Sequence, residues 1–359
     1  MPLSSRLVQF TALLLVLHWV TAIAAQEKVA TKELVEVSRW KTKLNMFNDL
    51  LLSEDGSTLV VQATLGTTEG WDVSKKQRLW KMETDSYAHQ INDEDDEEFL
   101  WVDQTKSPPA IVHTGLRDGK ERSRTPLKDA NAKLWNVEFG LGPMPQFGAQ
   151  AEYKSGPHVL SFSLATGEVE TVFKMPKLDG NQTEIEGLGV SANCKQFLLT
   201  VSGGLLLCND AGQVLQRFKT KSNVARIRFL PDGVHALAVD STFGSPVYFL
   251  ELKTGKVKEV KEHRYGTESL EVSYDGKWAI SGGRCRMAAE RNYYWRTKKE
   301  EGGEVVLWDL AKQQPVVKLN PFVDSVEGVA ISADGRFVAA AETGDTDGQI
   351  VVYEVKGKQ

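Results

Sequence analysis

Apolar and polar residues alternate through most of this chain, in short runs broken by Asp-Gly turns. Residues 326–339 (VEGVAISADGRFVA), 268–280 (ESLEVSYDGKWAI), 225–238 (ARIRFLPDGVHALA) and 47–60 (FNDLLLSEDGSTLV) repeat one phrase. A period of two marks a half-buried strand, and Asp-Gly between two such runs marks a hairpin. A third strand follows each phrase, carrying one residue at a recurring position before a Gly- or Lys-rich turn. These marks are Trp71, Thr114, Phe162, Cys208, Leu250, Trp308 and Tyr353, at spacings of 43, 48, 46, 42, 58 and 45 residues. Such periods fit four-stranded propeller blades, and no helical repeat tolerates this alternation. The expectation is an all-β, seven-bladed propeller of antiparallel blades.

The ends of the chain predict how the ring closes. Only six residues follow Tyr353, so the last blade lacks a fourth strand. Residues 33–40 (ELVEVSRW) alternate like a strand and precede the first blade with no partner of their own. Added to the last blade, this strand hydrogen-bonds an otherwise bare edge.

The dipeptides Trp71-Asp72 and Trp308-Asp309, and His263 twelve residues before the turn residue Asp275, carry a resemblance. The chain resembles the bacterial WD40-like propellers over about residues 33–359. It has no Gly-His dipeptide, and blades two to four match by pattern only. The resemblance implies a largely non-enzymatic, rigid surface for partners. It also implies a His–Ser/Thr–Asp–Trp relay that can be complete here in one blade at most.

Residues 1–25 read as a secretory signal. Arg6 precedes the apolar run 10–20, and Ala22, Ala24 and Ala25 supply small residues for cleavage. The apolar run is too short to favour a spanning helix. The expected product, 26–359, is a secreted or periplasmic monomer. Its net charge moves from -5 to -6 as Arg6 leaves, which argues against a nucleic-acid partner.

Chemistry is sparse. The sequence holds no G-x-S-x-G, H-E-x-x-H, C-x-x-C or Walker A motif. Gly187-Leu188-Gly189 imitates a dinucleotide fingerprint but falls inside a strand. The histidines scatter, and neither a metal nor an organic cofactor is expected. The acidic run 93–98 replaces the first turn of blade two and reads as a solvated turn before a calcium loop. Cys194, Cys208 and Cys285 are expected to stay unbridged. Cys208 is placed opposite about residue 199, too far along the hairpin from Cys194.

One irregularity stands out. The spacing of 58 places an insert, residues 284–303, between the second and third strands of blade six. It gathers Arg284, Arg286, Arg291, Tyr293, Tyr294, Trp295 and Arg296, residue types favoured at binding hot spots. Residues 284–298 carry five positive charges and one negative, a patch suited to an anionic partner. The sequence therefore reads as a scaffold for an unidentified protein or anionic ligand, with the insert as recognition element. A propeller-type lactonase or other hydrolase at the channel mouth is the rival reading, and a small-ligand or glycan sensor is the third. A convergent carboxylate cluster in the channel would favour the enzyme.

Overall fold

A computed structural model describes residues 32–357 apart from 45, 64–65, 85–88, 92–97, 129–133, 141–146, 154–155, 176–186, 222–223, 287–300 and 345–346. The signal segment and all but Glu98 of the acidic run lie outside the described residues.

Seven four-stranded antiparallel sheets form. Blades one to six are consecutive in sequence: residues 47–83, 89–126, 134–174, 188–219, 226–260 and 267–319. Blade seven combines 326–357 with 32–42. The first strands touch one another in succession, blade one to seven and back to one, so they line a central bore. Strand Lys32–Thr42 pairs antiparallel with Gly348–Gly357 from Lys32↔Gly357 to Thr42↔Gly348, as the closure argument requires.

All seven marks lie on third strands at one register position, each opposite the start of its second strand: Leu59↔Trp71, Phe99↔Thr114, Phe147↔Phe162, Phe197↔Cys208, Ala236↔Leu250, Ala279↔Trp308 and Val338↔Tyr353. In every blade but the fifth, the next pairing outward shifts register at the marked residue. A bulge there increases local twist, which a fanned blade needs. Cys208 faces Phe197 and not residue 199, because the hairpin turns at Ser202-Gly203. All three cysteines are free and buried, Cys208 as packing.

The turns explain the repeated Asp-Gly. In three of them a Ser hydroxyl and a backbone amide both donate to the Asp carboxylate: Ser53 and Ser57 to Asp55, Ser273 and Lys277 to Asp275, Ser332 and Arg336 to Asp334. The following glycines, Gly56, Gly276 and Gly335, hold φ between 65° and 72°, where a Cβ is strained. Blade four makes the same turn with Asn193, which takes bonds from Ser191 and Lys195, and places Cys194 at φ 47° in the glycine position.

The core is divided among the seams between blades, one apolar cluster to each of seven seams. The seam between blades seven and one joins Trp40 of the closing strand to Leu50, Leu59 and Trp71. Inner strands are consequently covered on both faces. In Gln196–Val201, Phe197 and Leu199 enter one seam and Leu198 the next, which makes the strand a continuous apolar run. Outer strands such as Val214–Lys219 keep one wet face.

Candidate functional site

Strand direction sorts the loops onto two faces. Connections between blades and between second and third strands share one face, which carries the insert. First-to-second and third-to-fourth turns share the other. Lys32 and Gly357 both lie on this turn face, since each ends its strand away from the loop 343–347.

The insert leaves the ring from a fixed stem. The Gly283 amide donates to the Glu304 carbonyl at 2.7 Å, Arg284 N to Gly266 O at 3.0 Å, and Gly303 N to Asp324 O at 2.9 Å. Cys285 N donates to Ser325 Oγ at 3.1 Å. Arg284 turns inward: Nη1 donates to Ser241 O at 2.9 Å, and Nε lies 3.4 Å from Glu268. Arg286 pairs with Glu301 at 2.8 Å. These two cations are locally balanced, so the basic patch counted along the sequence is weaker here than its sum. Arg291, Tyr293, Tyr294, Trp295 and Arg296 lie outside the described residues.

Beneath the stem is a buried relay. Trp308 Nε1 donates to Ser281 Oγ at 2.7 Å, and Ser281 Oγ lies 2.7 Å from His263 Nε2. His263 Nδ1 faces Glu304 at 3.5 Å. Burial holds the imidazole below its usual pKa, so it is neutral, with Nδ1–H toward the carboxylate and Nε2 accepting from the serine. Burial alone would raise Glu304, but His263, the Arg264 amide and Lys318 hold it at about 2. The acid of the relay is therefore Glu304, at the end of the insert. Asp275, the turn residue twelve positions after His263, is not part of the relay: it sits in the hairpin turn on the opposite face, bonded to Ser273 and Lys277. His263→Ala strands Ser281 and Glu304 in the interior and should lower stability by about 2–4 kcal/mol. Urea unfolding of His263→Ala beside Asp275→Ala checks this, and an equal loss in both would refute the assignment.

The bore holds groups that sequence reading passed over. Arg228 of blade five donates from Nη1 to Glu138 of blade three at 2.8 Å and from Nη2 to Glu271 of blade six at 2.5 Å. It reaches past blade four, whose strand Leu188–Val190 presents Gly189; a Cβ there would lie 2.5 Å from Ile227. Arg226 Nη2 extends across the bore to the Asn48 carbonyl of blade one at 3.5 Å. Burial, together with Glu271 and Asp49, raises Glu138 to about 7 against the pull of Arg228. Burial likewise raises Glu271. Carboxylates thus converge in the channel, but around a guanidinium. Among the described residues no three His, Cys, Asp or Glu side chains are grouped to hold a metal ion.

The signal for this cluster was present in sequence as the charged positions of ARIRF and ESLEV, which alternation assigned to ordinary solvent. Inward-facing positions on a first strand face the bore.

Compared with known proteins, the chain matches no protein-family model and no curated protein. Among the described residues, no helix is long and apolar enough to cross a membrane.

Proposed function

We propose that this chain is an exported, WD40-like, non-enzymatic propeller that binds a partner protein through its insert face, with residues 284–303 as the main recognition element. The observation that carries the reading is the stem. The segment 284–303 is rich in aromatic and basic residues, and backbone bonds fix both of its described ends to a ring whose blades are committed to seam packing. A rigid base lowers the ordering entropy lost on binding. The His263–Ser281–Trp308 relay supports the WD40-like kinship in blade six. The apolar run 10–20 and the alanines after it support export to a secreted or periplasmic location.

The triple substitution Tyr294→Ala, Trp295→Ala and Arg296→Ala should abolish capture of the partner from an extracellular or periplasmic fraction, since hot-spot residues contribute about 2 kcal/mol or more each. The melting temperature should stay unchanged. Undiminished capture would place binding elsewhere, and a destabilised ring would make the aromatics packing residues.

One observation favours the hydrolase as a second reading: Glu138 titrates near neutrality inside the bore, where a general acid or base is effective. Turnover of a lactone and ester panel that disappears in Glu138→Gln would establish it.

A further inference from the structure

We propose that the mouth of the bore on the insert face, from blade five to blade seven, binds an ammonium or guanidinium group, presented as a lysine or arginine side chain by a partner protein. The proposal rests on the scaffold reading and specifies the chemistry of its partner.

Asp240 directly follows the second strand of blade five, His235–Val239, and is only 1% exposed. Its Oδ1 accepts the Thr242 amide at 2.6 Å, while Oδ2 has no hydrogen-bond partner. Next to it, Thr267 donates its amide to the Asp240 carbonyl at 3.0 Å, and its buried hydroxyl is likewise unpartnered. Glu268 Oε2 lies 3.4 Å from Arg284 Nε, an ion contact without a hydrogen bond, so Asp240 Oδ2 is the carboxylate oxygen here with no cation against it. A buried carboxylate oxygen without a donor is costly and calls for a cation.

The neighbourhood is acidic beyond these residues. Glu327 feels the charges of Glu268 and Asp324, and Glu342 feels that of Asp324. Among the described residues, Asp240, Glu268, Asp324, Glu327 and Glu342 thus outnumber the guanidiniums that face them, Arg226, Arg284 and Arg39. Burial first, then mutual repulsion, raises the pKa values of Glu268, Glu327 and Glu342. An incoming cation lowers them and expels protons, so affinity should rise with pH across the range in which they ionise.

Acceptors spread over three blades, without three converging ligands among the described residues, suit a group with several N–H donors better than a metal ion. The flanks are apolar. Phe243, 58% exposed and 5.7 Å from the Tyr265 ring, Val323 and Met46 all stand exposed on loops of this face. They would cover the aliphatic stem or the neighbours of an inserted basic side chain.

The test uses the full chain and an array of amidated pentapeptides, with each amino acid in turn at the centre and mixed apolar flanks. Lysine and arginine should exceed aspartate, glutamate and acetyl-lysine by about tenfold or more, a ratio of the size charge complementarity provides. Preference should strengthen as pH rises above the ordinary carboxylate range and fall in Glu268→Gln/Glu327→Gln, a pair that spares Asp240 and hence the fold. A flat or acid-favouring profile overturns the proposal, as does calcium competing with the array through the same glutamates. Methylamine or guanidine binding as tightly as the peptides would overturn the partner-protein source. Lysine preference that persists in the Tyr294/Trp295/Arg296 triple variant separates this site from the insert, so either reading can fail alone.

Discussion

Removal of residues 32–42 should make the chain prone to aggregate, with a loss of stability of at least about 5 kcal/mol. The strand supplies the fourth member of blade seven along ten paired positions and carries Trp40 into the seam with blade one. Truncating one buried tryptophan costs about 3–5 kcal/mol by itself. The deletion also bares the edge of strand Gly348–Gly357, a template for pairing between chains. Thermal unfolding with light scattering measures both effects. A peptide of residues 32–42 added in trans should restore part of the lost stability. An unchanged melting temperature in a monomeric truncated chain would show that the ring closes without it.

The second large effect is expected at Arg228. Arg228→Met leaves Glu138 and Glu271 facing each other in the bore, and removing one partner of a buried ion cluster costs about 3–5 kcal/mol. The loss should depend on pH. Glu138 has its pKa raised by folding to about 7, so the protonated form favours the native state. That favourable contribution is complete below the ordinary carboxylate range and disappears as pH rises through about 7. Without Arg228 the pKa climbs further. The variant should therefore be nearest to wild type at about pH 5 and furthest from it at about pH 8. Glu138→Gln should flatten the same limb. Chemical denaturation across that range decides, and a pH-independent loss would mean that the arginine acts by packing alone.

Blade number, strand order and ring closure were legible because each depends on local patterns repeated along the chain: a turn that needs Asp followed by a positive φ, and one marked residue per third strand, bulged in six of the seven blades. The bore was not legible. Glu138, Arg228 and Glu271 lie on blades three, five and six, and only ring curvature brings them together. Glu304 was missed for a related reason. Its partner His263 is 41 residues earlier in the chain, and the loop between them hides the spacing. The first strands alternate as half-buried strands do, but the polar side of Arg226–Phe229 faces the bore, and the second strands such as Gln196–Val201 pack in seams on both faces, a property of the neighbouring blades that no single strand reports.

Because Lys32 and Gly357 stand opposite each other at the turn-face end of blade seven, a fusion made at residue 32 or 357 points away from the insert face. A biotin tag or a surface tether at residue 32 or 357 would hold every molecule with its loops outward. The two ends could also be spliced by a short linker and the chain reopened at another turn. Such a permutant would carry blade seven as one continuous segment, closing the ring without a strand borrowed from the far end of the sequence.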